Sequence, residues 1–281
     1  MILNFINWDI DPEIVNLFGL SIRYYGLLFV TGLFLCTYIL MWIFRKENIP
    51  QKDLDKLWIY AIIGIFVGAR LGHCFFYQPS YFLAHPLEAI LPVIFPEEGG
   101  FKFIGYRGLA SHGGALGLVI ALIIYARKTK HSIIDTMDLI AVVAALAGCF
   151  IRLANLMNSE IIGMPTTMPW GFVFKRVDMI PRHPAQLYEA LAYLMIFITM
   201  IILYKTKRNF MRHGVFFGLA LVLIFTARFF IEFIKERQVD FEANMALDMG
   251  QVLSIPYILI GIGFIIYGFR KTKEQLVLQP F

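Results

Sequence analysis

Long apolar runs separated by short polar loops set the pattern of this chain. Seven runs read as membrane-spanning helices, at approximately 20–44, 57–77, 113–127, 133–156, 184–204, 214–234 and 249–269, since a spanning helix needs about 20 apolar residues. The third is short for a span. "RKENIPQKDLDK", "RKTKHS", "KTKRNFMR" and the tail "RKTKEQ" gather Lys and Arg after the first, third, fifth and seventh runs. Basic loops stay in the cytoplasm, which puts the N-terminus outside and the C-terminus inside. Of the intervening loops, the one after the second run has an apolar middle broken by prolines and reads as an interfacial helix. Met157 to His183 reads as a partly packed loop at headgroup depth, with "MPWGFVF" as its apolar part. The predicted fold is an all-α polytopic membrane protein. It has seven transmembrane helices, long outer loops with short interfacial helices, and a single domain over residues 1–281.

Composition agrees with this pattern. The chain is 59% hydrophobic and only 16% charged, whereas a soluble domain is about one quarter charged. The net charge of +5 is accounted for by the cytoplasmic loops, so no nucleic-acid partner is expected. Cys36, Cys74 and Cys149 lie in apolar runs without metal-ligand spacing or a disulfide framework, and no metal site is expected. "MILNFINWDIDPEI" lacks a basic n-region, so the first span, rather than a cleaved signal peptide, is expected to direct insertion.

The costly residues are unevenly placed. Arg70, Arg152 and Arg228 fall inside predicted spans, where each arginine costs about 2.5–3.5 kcal/mol at a helix centre unless it is paired or faces the bundle interior. Under the predicted orientation all three lie in the outer halves of spans that run outward. Tyr24, Tyr25, His112, Gln186, Tyr188, Glu189 and Gln251 lie near the outer ends of other spans, and the inner halves are almost wholly apolar. Each residue also has a plainer reading. Arg228 and Glu232 are four apart and fit a salt bridge on one helix face. Arg152 shares a helix face with Asn155, whereas Asn158 points elsewhere. Arg70 suits snorkelling or a structural ion pair, and His73 suits packing. The polar layer as a whole fits an anionic ligand in the outer leaflet, because guanidinium forks match phosphate oxygens. Catalysis on such a ligand and its transport both satisfy the pattern at this point.

The motifs separate these two. "IRLANLMNSEIIG" resembles the signature of the bacterial prolipoprotein diacylglyceryl transferases, Gly-Arg-x-Gly-Asn-Phe-x-Asn-x-Glu-x-x-Gly, at Arg152, Asn155, Asn158, Glu160 and Gly163. "RYYGLLFVTG", "GARLGHCFFY", "SHGGALG", "RHPAQLYEA" and "MGQVLSIP" resemble other segments of that family, in the family's order and over nearly the whole chain. The departures are Ile151 and Ala154 for glycines, Leu156 for phenylalanine, Ala185 for serine, and Ile224 where some members carry a functional tyrosine. The tyrosine role is therefore not carried over to this chain.

The resemblance implies transfer of the diacylglyceryl group of phosphatidylglycerol to the lipobox cysteine of a prolipoprotein signal peptide. The products would be a thioether and glycerol 1-phosphate, made at the outer face of a bacterial cytoplasmic (inner) membrane with no cofactor. A thiol of pKa about 8.5 reacts as its thiolate, and an imidazole suits the base; His112 is the candidate. Arg228 is assigned to the developing phosphate charge. Arg152, Asn155, Asn158, Glu160, Gly163 and Tyr25 are assigned to the phospholipid, with the two arginine roles open to exchange. Glu232, Gln186, Tyr188, Glu189 and Arg70 are expected to support them. The runner-up is a transporter or flippase for an anionic lipid or other anion. It requires a polar path to the cytoplasmic side, and the apolar inner halves of the spans oppose that.

Overall fold

The computed structural model describes residues 5–17, 20–91, 93–94, 99–103, 110–237 and 246–277. Three short strands open the chain: β1 (Ile6–Trp8), β2 (Glu13–Leu17) and β3 (Leu20–Arg23). Two long helices follow, α1 (Tyr24–Lys46) and α2 (Gln51–Phe76), and then the short helices α3 (Pro79–Ala84) and α4 (Pro86–Ile90). The strands β4 (Val93–Ile94) and β5 (Lys102–Phe103) precede α5 (Ser111–Thr129) and α6 (Ile133–Met157). Next come β6 (Phe172–Phe174) and β7 (Pro181–Arg182), then α7 (Ala185–Lys207), α8 (Val215–Glu232) and α9 (Met249–Val277).

Among the described residues six helices are long and apolar enough to cross a membrane: α1, α2, α6, α7, α8, and α9 over Met249–Lys271. The chain is therefore a predominantly helical, multi-pass membrane protein. The third predicted span coincides with α5. Arg127 and Lys128 occupy the last turn of this helix, so its uncharged stretch ends at Ala126. One boundary needs correction. Part of "QKDLDK", read as loop, is the first turns of α2, where Asp53 takes Lys56 Nζ at 3.1 Å and His131 Nε2 at 3.0 Å.

The contacts divide the chain into two compact units, Phe44–Thr136 and the remainder. In the unit Phe44–Thr136, α2 and α5 pack backbone to backbone, because Gly64, Gly68 and Gly72 face Gly113 and Gly117. Small residues four apart allow such approach where lipid supplies no hydrophobic drive between helices. The expected interfacial segment carries α3 and α4.

The other unit contains the rest of the long helices. The fully buried Asp138 on α6 accepts from Gly214 N and Phe217 N, each at 2.9 Å, which caps the start of α8. At the opposite end of α6, β1 pairs parallel with β6, and β6 pairs antiparallel with β7. Trp8 donates to the Leu156 carbonyl at 3.0 Å, and Trp8 packs on a buried cluster of Leu156, Ile162, Phe172 and Phe174. The loop Met157 to His183 is thus pinned over the end of α6 by a small sheet. Strands of two or three residues carry too few positions for a period-two pattern to be read.

Candidate functional site

The chain leaves α6 in a tight reversal. Ser159 and Ile161 take left-handed φ of 55° and 57°, a region that a β-branched residue seldom enters. The reversal swings Glu160 back towards the helix. Its carboxylate accepts from Asn155 Nδ2 at 3.2 Å and from Asn158 Nδ2 at 3.0 Å, and its carbonyl accepts from Gln186 Nε2. Asn158 therefore joins Asn155, against the helical projection, because it lies beyond the last helical residue.

Arg152 is held from two sides. Its Nε lies 2.8 Å from Glu189 Oε2, and its Nη1 donates to Asn155 Oδ1 at 3.3 Å. Glu189 is fully buried on α7, and its other oxygen meets Lys235 Nζ at 2.9 Å. Lys235, itself buried, also reaches Glu232 Oε2 at 3.0 Å. Arg152, Glu189, Lys235 and Glu232 thus form one chain of alternating charge. Such a buried network persists when each charge has a partner and is costly to break.

Backbone pairing seats Lys235. Met164 N donates to Ile234 O at 2.9 Å and Glu236 N to Ile162 O at 3.1 Å, so the segments after α6 and α8 run side by side. Gly163 stands opposite Lys235 and donates its own N–H to His183 O at 2.9 Å. A Cβ at Gly163 would lie 2.5 Å from His183 O and 2.8 Å from Ile234 O. Only glycine fits that crossing. Arg182 locks the same place, with Nη2 at 2.6 Å from Asp178 Oδ2 and Nη1 at 2.9 Å from Glu236 Oε1. The Arg182 guanidinium holds the Asp178 carboxyl below the usual carboxylate range. Nearby, His183 Nδ1 is 3.2 Å from the Tyr188 hydroxyl, which also accepts from Trp170 Nε1 at 2.8 Å. Burial pushes the His183 imidazole below its ordinary value, which favours the neutral ring.

Arg228 differs from Arg152. It does not pair with Glu232, whose carboxylate is taken by Lys235. The Arg228 Nε is buried without a hydrogen-bond partner among the described residues. With Glu232, Lys235, Asp248 and Gly250 it lines a cavity of about 110 Å³. Asn158 Oδ1, Ser159 Oγ and Gln186 Oε1 are also buried and unpartnered. Buried polar atoms are normally paired, so this set suits a ligand rich in donors and acceptors. A second cavity, of about 380 Å³, is lined by Glu160, Ile161, Ile162, Glu236 and Arg237.

Three expected residues make none of the cluster's contacts given above, two of them, Arg70 and His112, belonging to the unit Phe44–Thr136. Tyr25 sits half-buried in the first turn of α1. Arg70, in the other unit, donates to the carbonyls of Ala89, at 3.0 Å, and Glu88, and lies over the Phe82 ring. There it holds the end of α4. His112 lies in the first turn of α5, and its side chain falls outside the described residues. Sequence reasoning missed Lys235 and Arg182. The signal for Lys235 was a cation three residues past Glu232, at a loop predicted to be external and therefore poor in basic residues.

The family model described as prolipoprotein diacylglyceryl transferase matches residues 12–267. The chain belongs to that family. The matched region contains every residue of the polar cluster, including Lys235 and Arg182. A phosphatidylglycerol–prolipoprotein diacylglyceryl transferase of Bacteroides fragilis is 56% identical over 270 residues, covering 96% of this chain and 98% of its own. Proteins of the same description from Chloroherpeton thalassium and Tolumonas auensis are 40% and 43% identical, each covering at least 95% of both chains.

Proposed function

We propose that this transferase moves the diacylglyceryl group of phosphatidylglycerol to the lipobox cysteine thiol of prolipoproteins. The bond between the diacylglyceryl carbon and the phosphate oxygen breaks, and a carbon–sulfur bond forms. The thiol proton passes to a base, and glycerol 1-phosphate leaves with one more negative charge than the phosphodiester had. The observation that carries the residue assignment is the buried Arg228 Nε, left without a partner on the wall of a cavity.

In this reading Arg228 takes the charge that develops on the leaving phosphate. A preorganised donor in a water-poor site acts most strongly there, and losing one such donor typically costs about 10²–10³ in rate. Arg152, fixed by Glu189, holds the headgroup, and Asn155, Asn158 and Glu160 orient its glycerol hydroxyls. Gln186 and Tyr188 support this shell. Gly163 acts through the backbone crossing it permits, and Tyr25 flanks the lipid. His112 is the base for the thiol, suited by an ordinary pKa near 6.5. Arg70 acts by shaping the segment before α5.

The membrane reading extends the same way. Counting α5, the chain has seven spans with the N-terminus outside, and the polar cluster faces the outer leaflet of the cytoplasmic membrane. The basic clusters at the C-terminal ends of α1, α5, α7 and α9 then lie inside. The reaction is tested by mixing purified protein with phosphatidylglycerol vesicles and a lipobox peptide. A diacylglyceryl mass on the peptide cysteine, matched mole for mole by glycerol 1-phosphate, is the expected result. An unmodified peptide beside folded protein that binds the lipid would overturn it.

A further inference from the structure

Glu232 follows Arg228 by one helical turn, the spacing at which a carboxylate and a guanidinium on one helix face ordinarily pair. Both line the same cavity, yet they are not paired. Glu232 Oε2 turns instead to Lys235 Nζ at 3.0 Å. Lys235 is only 6% exposed and is anchored on its other side by Glu189 at 2.9 Å. The backbone fixes its position as well, through the Gly163 bridge and the flanking bonds of Ile234 and Glu236. Glu232 is confined too, since a Cβ on Gly250 of α9 would collide with its carboxylate.

We infer that Lys235 is a positioning residue that withholds Glu232 from Arg228, so that the Arg228 guanidinium stays open to the phosphate of the substrate. This rests on the reading of Arg228 as the group that meets the phosphate. The charges support it. Glu189 holds Arg152 and Lys235, and Glu232 is taken by Lys235, so among the described residues no carboxylate pairs with Arg228, which is left to meet the charge of a phosphodiester. Without Lys235, Glu232 becomes an internal anion competing for Arg228. The lipid must then displace it, and its apparent affinity falls by the fraction of protein in which Arg228 is open. Saturating lipid restores turnover, because the competitor is displaced before the chemical step.

The test is steady-state transfer to a lipobox peptide, with phosphatidylglycerol varied in mixed vesicles or micelles. Lys235→Met is expected to raise the lipid KM about tenfold and change kcat by less than about threefold. Lys235→Arg keeps the cation and is expected to hold KM near wild type. The deciding variant is Lys235→Met combined with Glu232→Gln. Removing the competing charge is expected to bring KM back most of the way, a rescue that a merely structural role for Lys235 would not produce. Should Lys235→Met not accumulate in membranes, Lys235→Gln removes the charge at smaller cost in packing and must shift KM in the same direction. An unchanged KM in the single variant, or a raised KM that the second substitution fails to lower, overturns the inference. Arg228→Ala distinguishes that failure from failure of the underlying reading. If its kcat stays near wild type, Arg228 does not meet the phosphate and the reading itself falls.

Discussion

One carboxylate, that of Glu189, holds Arg152 at 2.8 Å through one oxygen and Lys235 at 2.9 Å through the other. Glu189 has no solvent exposure. Removing one member of a buried charge pair leaves its partner uncompensated, at about 3–5 kcal/mol. Glu189→Ala is therefore expected to lower thermal stability in detergent clearly. Its transfer rate should fall even at temperatures where it stays folded, because Arg152 loses its anchor. Paired thermal-shift and transfer measurements check both effects.

Gly163 separates packing from chemistry. Its Cα is hemmed by the backbone of His183 and Ile234, and forcing a methyl group into a filled site costs about 1–3 kcal/mol. Gly163→Ala is expected to lose transfer while keeping most of its helical circular dichroism. The strain acts on the strand pairing that seats Lys235 rather than on a spanning helix.

Asp138 supplies a contrast. It caps the first turn of α8 from within the same unit and lies near the start of α6, whereas Arg152 and Asn155 lie near the end of that helix. Asp138→Ala is expected to cost about 1–3 kcal/mol, from a lost cap and newly unsatisfied N–H groups. The lipid KM should stay unchanged in the fraction that remains folded.

Acid should weaken the loop over the site. Burial lowers the His183 pKa below its ordinary 6.5. Between that ordinary value and the lowered one, the unfolded chain binds a proton that the folded chain does not, so stability falls as pH drops through this window. Asp178, whose pKa Arg182 depresses, acts in the same direction at lower pH. Its contribution is present above the ordinary carboxylate range and is lost as pH falls through the lowered value. A falling unfolding temperature from pH 7 to pH 5 is expected, with a shallower slope in His183→Gln.

Much of this architecture was legible in the sequence, because a bilayer demands long apolar runs whose signal does not depend on tertiary contacts. Six runs coincide with long apolar helices, and α5 lies over the remaining one, the third. The onset of α2 was hidden, since its first turns are polar and tied by Asp53 to His131. Arg152, Asn155 and Glu160 were legible from the motif they share. Asn158 was misplaced by projecting it on a helix that ends at Met157. Lys235 was not legible because its partners, Glu189 and Glu232, come from two different helices. Its position depends on a backbone crossing at Gly163 that no periodicity encodes. Arg182 escaped for the same reason, being defined by Asp178 and Glu236 on separate segments.

The most direct test of the assignment to Arg228 is transfer from phosphatidylglycerol to a lipobox peptide by Arg228→Ala beside wild type, with lipid binding measured on the same preparations. A loss of about 10²–10³ in kcat, in a protein that is folded and still binds the lipid, is the expected result. Turnover by Arg228→Ala within a fewfold of wild type would contradict it and return the leaving-group charge to another residue.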